Sequence, residues 1–159
     1  MLSTREVIDG IFAEAATGDL DGVMRWWAAD GILEDITIAR AFRGHDEIRR
    51  YLDMYYRALP SVTYTPIRLV IDGPTAVVEW AQTAVVAASF DGTPSAGTSV
   101  FLRAVDIFHV AGGLVRHESS WYGDGWLRQR LGGGPGSGEV PPEPLPVTPP
   151  LAAGGSRFS

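Results

Sequence analysis

The stretch Leu102-Arg-Ala-Val-Asp106-Ile-Phe108-His-Val110 decides the fold class. Alternate side chains of a strand share a face, so Leu102, Ala104, Asp106, Phe108 and Val110 form one stripe. The alternation predicts a long strand with one face turned to a core. Asp106 is the one polar member of that stripe. An unpaired carboxylate is costly to bury, so such a group either collects hydrogen bonds or holds a proton with a raised pKa.

The same period extends outward from this strand. Thr63 to Ile71, Thr75 to Phe90, Thr98 to Val110 and Leu114 to Tyr122 read as four strands. Asp72-Gly73-Pro74, Asp91-Gly92 and Gly112-Gly113 supply the turns. Upstream the period changes. Ser3 and Glu6 form a capping box ahead of Val7, Ile8, Ile11, Phe12 and Ala15, and Gly18 stops that helix. A second helix is expected from Asp19 to about Ala28, and a short strand from Ile32 to Ile38. A third helix carries Ile48, Tyr51, Leu52, Tyr55 and Leu59 on its inner side and ends before Pro60. Helices first and long strands second indicate an α+β domain, with three N-terminal helices on one face of a curved, mainly antiparallel sheet.

Composition bounds the partners. The chain has 159 residues and a net charge of −6, and all thirteen basic residues are arginine. With no basic stripe, neither nucleic acid nor an anionic membrane is an expected partner. There is no cysteine, which excludes disulfides and thiolate ligands. The N-terminus shows no apolar signal segment, so a cytoplasmic location is expected. The three histidines His45, His109 and His117 lack metal spacing, and no glycine-rich phosphate loop follows a strand; neither metal nor cofactor is expected. From Gly132 the composition turns to Gly, Pro and Ser. Residues 1–131 are therefore expected to form the domain, with a last helical turn at Gly125 to Leu131, and residues 132–159 a disordered tail.

Gly18-Asp-Leu-Asp-Gly22, Ala28-Ala-Asp-Gly31, Glu34-Asp35 and Arg43-Gly44 with Ile48-Arg49 resemble bacterial ketosteroid isomerase, and Val105-Asp106-Ile-Phe108 matches a second block. In overall pattern the chain is also similar to SnoaL-like polyketide cyclases of the same nuclear-transport-factor-like superfamily. The resemblance covers roughly residues 3 to 125 and implies a cone-shaped α+β fold that associates through its sheet as a homodimer. It places Asp35 at the general-base position and Asp106 at that of a neutral acid donating to an enolate oxygen. The tyrosine that assists in ketosteroid isomerase falls on Ile11, which cannot donate. The residues of epoxide-hydrolysing relatives fall on Trp80, Gln82 and Ser120, and the last-strand acid of the SnoaL-like cyclases also falls on Ser120.

The expected activity is that of a cofactor-free isomerase or cyclase acting on an apolar, polyketide-like small molecule in natural-product biosynthesis, with Asp35 and Asp106 catalytic. A non-catalytic dimeric binding protein and a hydratase or dehydratase are the alternatives. Glu118, Tyr51 and Tyr55 are auxiliary candidates, although the two tyrosines also suit plain helix-to-sheet packing. Ile11, Trp80, Gln82, Phe108, Ser120, Trp121 and Tyr122 are candidate pocket residues; Trp80 suits a core position as well. Glu118 depends on the hairpin. A three-residue loop at Ala111-Gly112-Gly113 sets it opposite Asp106, and a two-residue loop turns it to the other face.

Overall fold

The capping box closes as the sequence predicts: the Ser3 hydroxyl accepts from the Glu6 amide while the Glu6 carboxylate accepts from the Ser3 amide at 2.7 Å. It starts helix α1, Thr4–Thr17, in a computed structural model that describes residues 2–60, 62–87, 96–97 and 99–122. Gly18, at φ 73°, ends the helix in the left-handed conformation that glycine adopts without strain. Helix α2 is Leu20–Met24, followed by strands β1, Trp27–Asp35, and β2, Arg40–Arg43. Helix α3, Gly44–Ala58, precedes the long strands β3, Thr63–Asp72, β4, Thr75–Val85, β5, Ser99–Ala111, and β6, Leu114–Tyr122.

The six strands form one curved, unclosed sheet in the order β2-β1-β6-β5-β4-β3, antiparallel except for the parallel β1–β6 pair. Helix α1 packs against β3 and β4, and α3 against β1 and β2. Val7, Ile8 and Ile11 of α1 meet Ala76, Val78 and Trp80 of β4 and Phe108 and Val110 of β5 in the main core. The stripe that opens the sequence analysis is buried along its whole length, Asp106 included at 4% exposure. Among the described residues no helix is long and apolar enough to cross a membrane.

Two expectations at the N-terminal end are corrected: the second helix is shorter than Asp19 to Ala28, and the first strand runs Trp27–Asp35 rather than Ile32 to Ile38. The second helix stops at Met24, because Trp27 and Ala28 are claimed by strand β1, where they are almost fully buried. The Val115 amide donates to the Trp26 carbonyl at 2.8 Å and anchors that strand start against β6. Long-range pairing thus overrides a helical period of only a few residues. The four-residue edge strand β2 was too short and polar to read from the sequence. Strand β4 ends at Val85 rather than at Phe90. The expected helical turn at Gly125 to Leu131 and the tail 132–159 lie outside the described residues.

The hairpin joining β5 and β6 is decisive for Glu118. Gly112 and Gly113 both have positive φ, 65° and 79°, and Ala111 pairs with Leu114 across a two-residue loop. That loop alone would turn Glu118 away from Asp106. A bulge intervenes: Val110 pairs with Val115 but His109 with His117, so Arg116 is an extra residue in β6. The extra residue restores parity and brings Glu118 to the Asp106 face. The partner directly across from Asp106 is Ser120, and Glu118 faces Phe108.

Gly10 permits close contact between α1 and the α2–β1 connection. A Cβ at Gly10 would lie 2.1 Å from Cζ2 of the Trp26 ring. Gly10→Ala should destabilise the fold by about 1–3 kcal/mol through overpacking, despite alanine's better helix propensity. Urea denaturation measures this; unchanged stability would mean that the ring swings aside at no cost.

Candidate active site

Strand pairing places Asp35, Ser120 and Asp106 side by side on β1, β6 and β5. Neighbouring strands lie about 4.8 Å apart, so the two aspartates flank the serine across roughly twice that distance. The next row of the same face is Leu33, Glu118 and Phe108. Above this wall is a cavity of about 110 Å³ that opens to solvent. Its remaining walls come from Ile11, Phe12 and Ala15 of α1 and from Tyr51, Leu52, Tyr55 and Tyr56 of α3. Trp80 and Tyr64 close it from β4 and β3.

Asp106 lines the cavity with both oxygens engaged. The Trp80 indole N–H donates to Oδ2, and the Ser120 hydroxyl donates to Oδ1 at 2.6 Å. Burial pushes its pKa from 3.8 to about 7; the Ser120 and Trp80 bonds oppose that rise, and the charge of Asp35 adds to it. Glu118 is also raised well above the usual carboxylate range, by burial first and then by Asp106 and Asp35. No hydrogen-bond donor among the described residues reaches Glu118. Burial therefore shifts both carboxyl groups in the cavity wall toward their protonated forms.

Asp35 is placed differently. It is fully buried and is absent from the cavity wall, because Tyr51 and Tyr122 stand between it and the open space. Both phenols donate to its Oδ2, Tyr122 at 2.6 Å, and the Ile38 amide donates to Oδ1 at 3.2 Å. The Tyr51 ring is held for this bond by stacking on Phe42 of β2, with centroids 4.2 Å apart. Burial drives both phenol pKa values up, reinforced at Tyr51 by Tyr122 and Asp35 and at Tyr122 by Asp35. Both remain neutral at physiological pH, with their protons turned to Asp35 and their side chains lining the cavity.

Ile11, Trp80, Phe108, Ser120 and Tyr122 all line the cavity. Two candidate pocket residues do not. Gln82 lies behind the wall at 1% exposure, where it accepts the Tyr55 hydroxyl proton and its own amide nitrogen has no partner. Trp121 is 40% exposed on the opposite face of the sheet, since adjacent residues of a strand point to opposite sides and Tyr122 takes the inner position.

Residues 8–118 match the SnoaL-like domain. The chain belongs to that family. Solved structures share the fold of this SnoaL-like domain at low sequence identity. A protein from Jannaschia assigned as a SnoaL-like polyketide cyclase has a TM-score of 0.76 at 16% identity, over 83% of this chain and 93% of that one. IdmH from Streptomyces antibioticus, assigned as a polyketide cyclase, gives 0.70 at 16%, over 81% and 98%. AclR from Streptomyces galilaeus, assigned as a hydroxylase, gives 0.73 at 16%, over 81% and 95%. No curated protein sequence matches the chain.

The SnoaL-like domain here also uses residues that the sequence reading left out. All five tyrosines of the chain line one cavity, including Tyr56 and Tyr64. The signal was present: positions 51, 52, 55 and 56 form a wide stripe on α3 that is only half-buried, as a cavity-facing stripe is. The Trp80–Asp106 bond is a diagonal cross-strand contact whose existence depends on the β4–β5 register.

The raised Asp106 pKa makes stability depend on pH. Between 3.8 and about 7 the native state holds a proton that the unfolded chain has lost. This contribution is complete below the unfolded value and disappears as pH rises through about 7. At about 1.4 kcal/mol per unit it amounts to a few kcal/mol at most. Melting temperature should fall as pH rises through that window, and Asp106→Asn should flatten the decline. An unchanged slope in the variant would assign the effect to Glu118 or elsewhere.

Proposed function

We propose that this chain is a cytoplasmic, cofactor-free isomerase or cyclase acting on a polyketide-like molecule, with proton transfer between Asp35 and Asp106 at its centre. The observation that carries this reading is the Asp35–Ser120–Asp106 row along an otherwise aromatic and aliphatic cavity. Family membership and the polyketide cyclases among its structural neighbours support it. Asp106, in its neutral form, donates to a substrate carbonyl and stabilises the enolate oxygen that develops there.

Asp35 acts as the base through a phenol. A substrate hydroxyl gives its proton to the oxygen of Tyr51 or Tyr122 as that phenol passes its own proton to the Asp35 carboxylate. The hydroxyl oxygen then adds to a carbon conjugated with the carbonyl, while Asp106 supports the oxygen that gains charge. Return of one proton to carbon completes an isomeric product. Such a relay suits hydroxyl activation better than direct abstraction from carbon, because no atom of Asp35 borders the cavity. Acid–base contributions of this kind are worth factors of about a hundred to ten thousand.

The sealed Asp35 and the isoleucine at position 11 favour a second reading, a protein that holds its ligand without turnover. Accurate-mass metabolite profiling of a strain lacking the gene distinguishes the two. An accumulated compound isomeric with the product should be cleared by wild type, and about a hundred-fold or more slowly by Asp106→Asn, Asp35→Asn or a Tyr51→Phe, Tyr122→Phe double variant. Equal clearance by all four proteins would support a binder or a purely shape-driven cyclase. A mass offset of one water would point to a hydratase or dehydratase.

The proposed assembly is a homodimer through the outer face of the sheet. Val85, Val105, Ile107 and Trp121 are 37–45% exposed on that face, and Val105 pairs directly with Trp121 across β5 and β6. Light scattering should give the mass of two chains, and Ile107→Glu should reduce it to one. A monomeric wild type would rule this assembly out.

A further inference from the structure

The polar groups of the cavity select a class of ligand, on the reading that this cavity is the substrate site. We propose that it takes a neutral molecule bearing both a hydroxyl and a carbonyl group and rejects the matching carboxylate.

Charge carries the first half. Asp106 and Glu118 are in the wall, Asp35 stands directly behind two of its tyrosines, and no arginine or histidine among the described residues lines the space. The arginines with acidic partners among the described residues are spent elsewhere: Arg5 on Asp9, Arg25 on Glu14 and Asp19, Arg49 on Asp21, Arg57 on Asp53, Arg103 on Glu79 and Arg116 on Asp30. A carboxylate entering the cavity would lose water, meet no counter-ion among the described residues and face the Asp35 carboxylate behind two phenols. Burial of a charge on those terms is strongly unfavourable.

Hydrogen-bond direction carries the second half. The hydroxyl protons of Tyr51 and Tyr122 go to Asp35, and that of Tyr55 goes to Gln82. The Tyr51 and Tyr122 oxygens are therefore left with lone pairs and no proton to give, so they call for a ligand O–H, whereas the Tyr64 hydroxyl is within reach of the Tyr55 oxygen. Glu118 has no donor among the described residues, and its protonated form supplies an O–H of its own. That group, with Asp106 beside it, calls for an acceptor such as a ketone oxygen. Tyr56 and Tyr64 add two further hydroxyls to the wall, and Ile11, Phe12, Leu33, Leu52 and Leu102 offer apolar contact. Bulk hydrocarbon alone would leave the phenol oxygens and the acid unpaired, which lowers affinity.

Three bicyclic probes of nearly equal shape test this on the full chain: 6-hydroxy-2-acetonaphthone, 2-acetonaphthone and 6-hydroxy-2-naphthoate. Isothermal titration at about pH 6.5 keeps the first two neutral and the third anionic. The hydroxyketone should bind tightest, and the naphthoate roughly ten-fold or more weakly. Asp35→Asn, confirmed as folded by circular dichroism, should narrow the gap by improving naphthoate binding, because it removes the carboxylate behind the two phenols. Naphthoate binding as tightly as the hydroxyketone would overturn charge rejection, and equal affinity for the ketone without its hydroxyl would overturn the hydroxyl requirement. Failure of all three to bind would overturn the proposal as a whole. Selective binding with no metabolite change in the deletion strain would leave the ligand class standing and remove only the catalytic reading.

Discussion

The rest of the site depends on the burial of one carboxyl group in an apolar stripe. Asp106 occupies a position where neighbouring residues of β5 are Leu102, Ala104, Phe108 and Val110, all buried. Two neutral donors, the Trp80 indole and the Ser120 hydroxyl, satisfy it without supplying a compensating positive charge. Hydrogen bonds of that kind hold the group in place, whereas an arginine would have locked it as an anion. Desolvation therefore outweighs the two bonds, and the acid keeps its proton into the neutral range. Placing the indole donor requires Trp80 on the adjacent strand in one register only, so the β4–β5 pairing and the chemistry of Asp106 are a single constraint.

Asp35 shows the opposite solution to the same problem. Here three donors converge on the carboxylate, from Tyr51, Tyr122 and the Ile38 amide. The chain thus holds two aspartates on either side of Ser120 in contrasting environments. One is in the cavity wall and poor in donors; the other is behind the wall and rich in them. The phenols of Tyr51 and Tyr122 bond Asp35 and line the cavity, whereas Asp35 itself does not.

The hairpin between β5 and β6 illustrates how a local rule and a global requirement can disagree. Two consecutive glycines with positive φ close a two-residue loop, and that turn by itself would carry Glu118 to the outer face. The bulge at Arg116 adds one residue to β6 and reverses the outcome. Bulges follow from what the strand must bury: Val115 at 0% exposure before Arg116 and the Glu118–Ser120–Tyr122 face after it can point inward together only if one residue is skipped. The same parity leaves Trp121 outside, among the exposed apolar residues of the sheet.

The order of the main helices and long strands, the capped start of α1 and the inward stripe containing Asp106 were all legible in the sequence. Each rests on periodicity or on contacts between residues close in the chain. The sequence also singled out Asp35, through its resemblance to a family, and by listing Tyr51 and Tyr122 it named the right neighbours without their relation to it. Only tertiary structure decided that those phenols shield Asp35, that Ser120 rather than Glu118 faces Asp106, and that all five tyrosines meet in one cavity. Those outcomes depend on strand register and on a bulge, which are settled by the burial of residues up to 87 positions apart. A two-residue period reports which side chains share a face; it carries no information on which residue of the next strand lies opposite, and the chemistry of this site is written in that second relation.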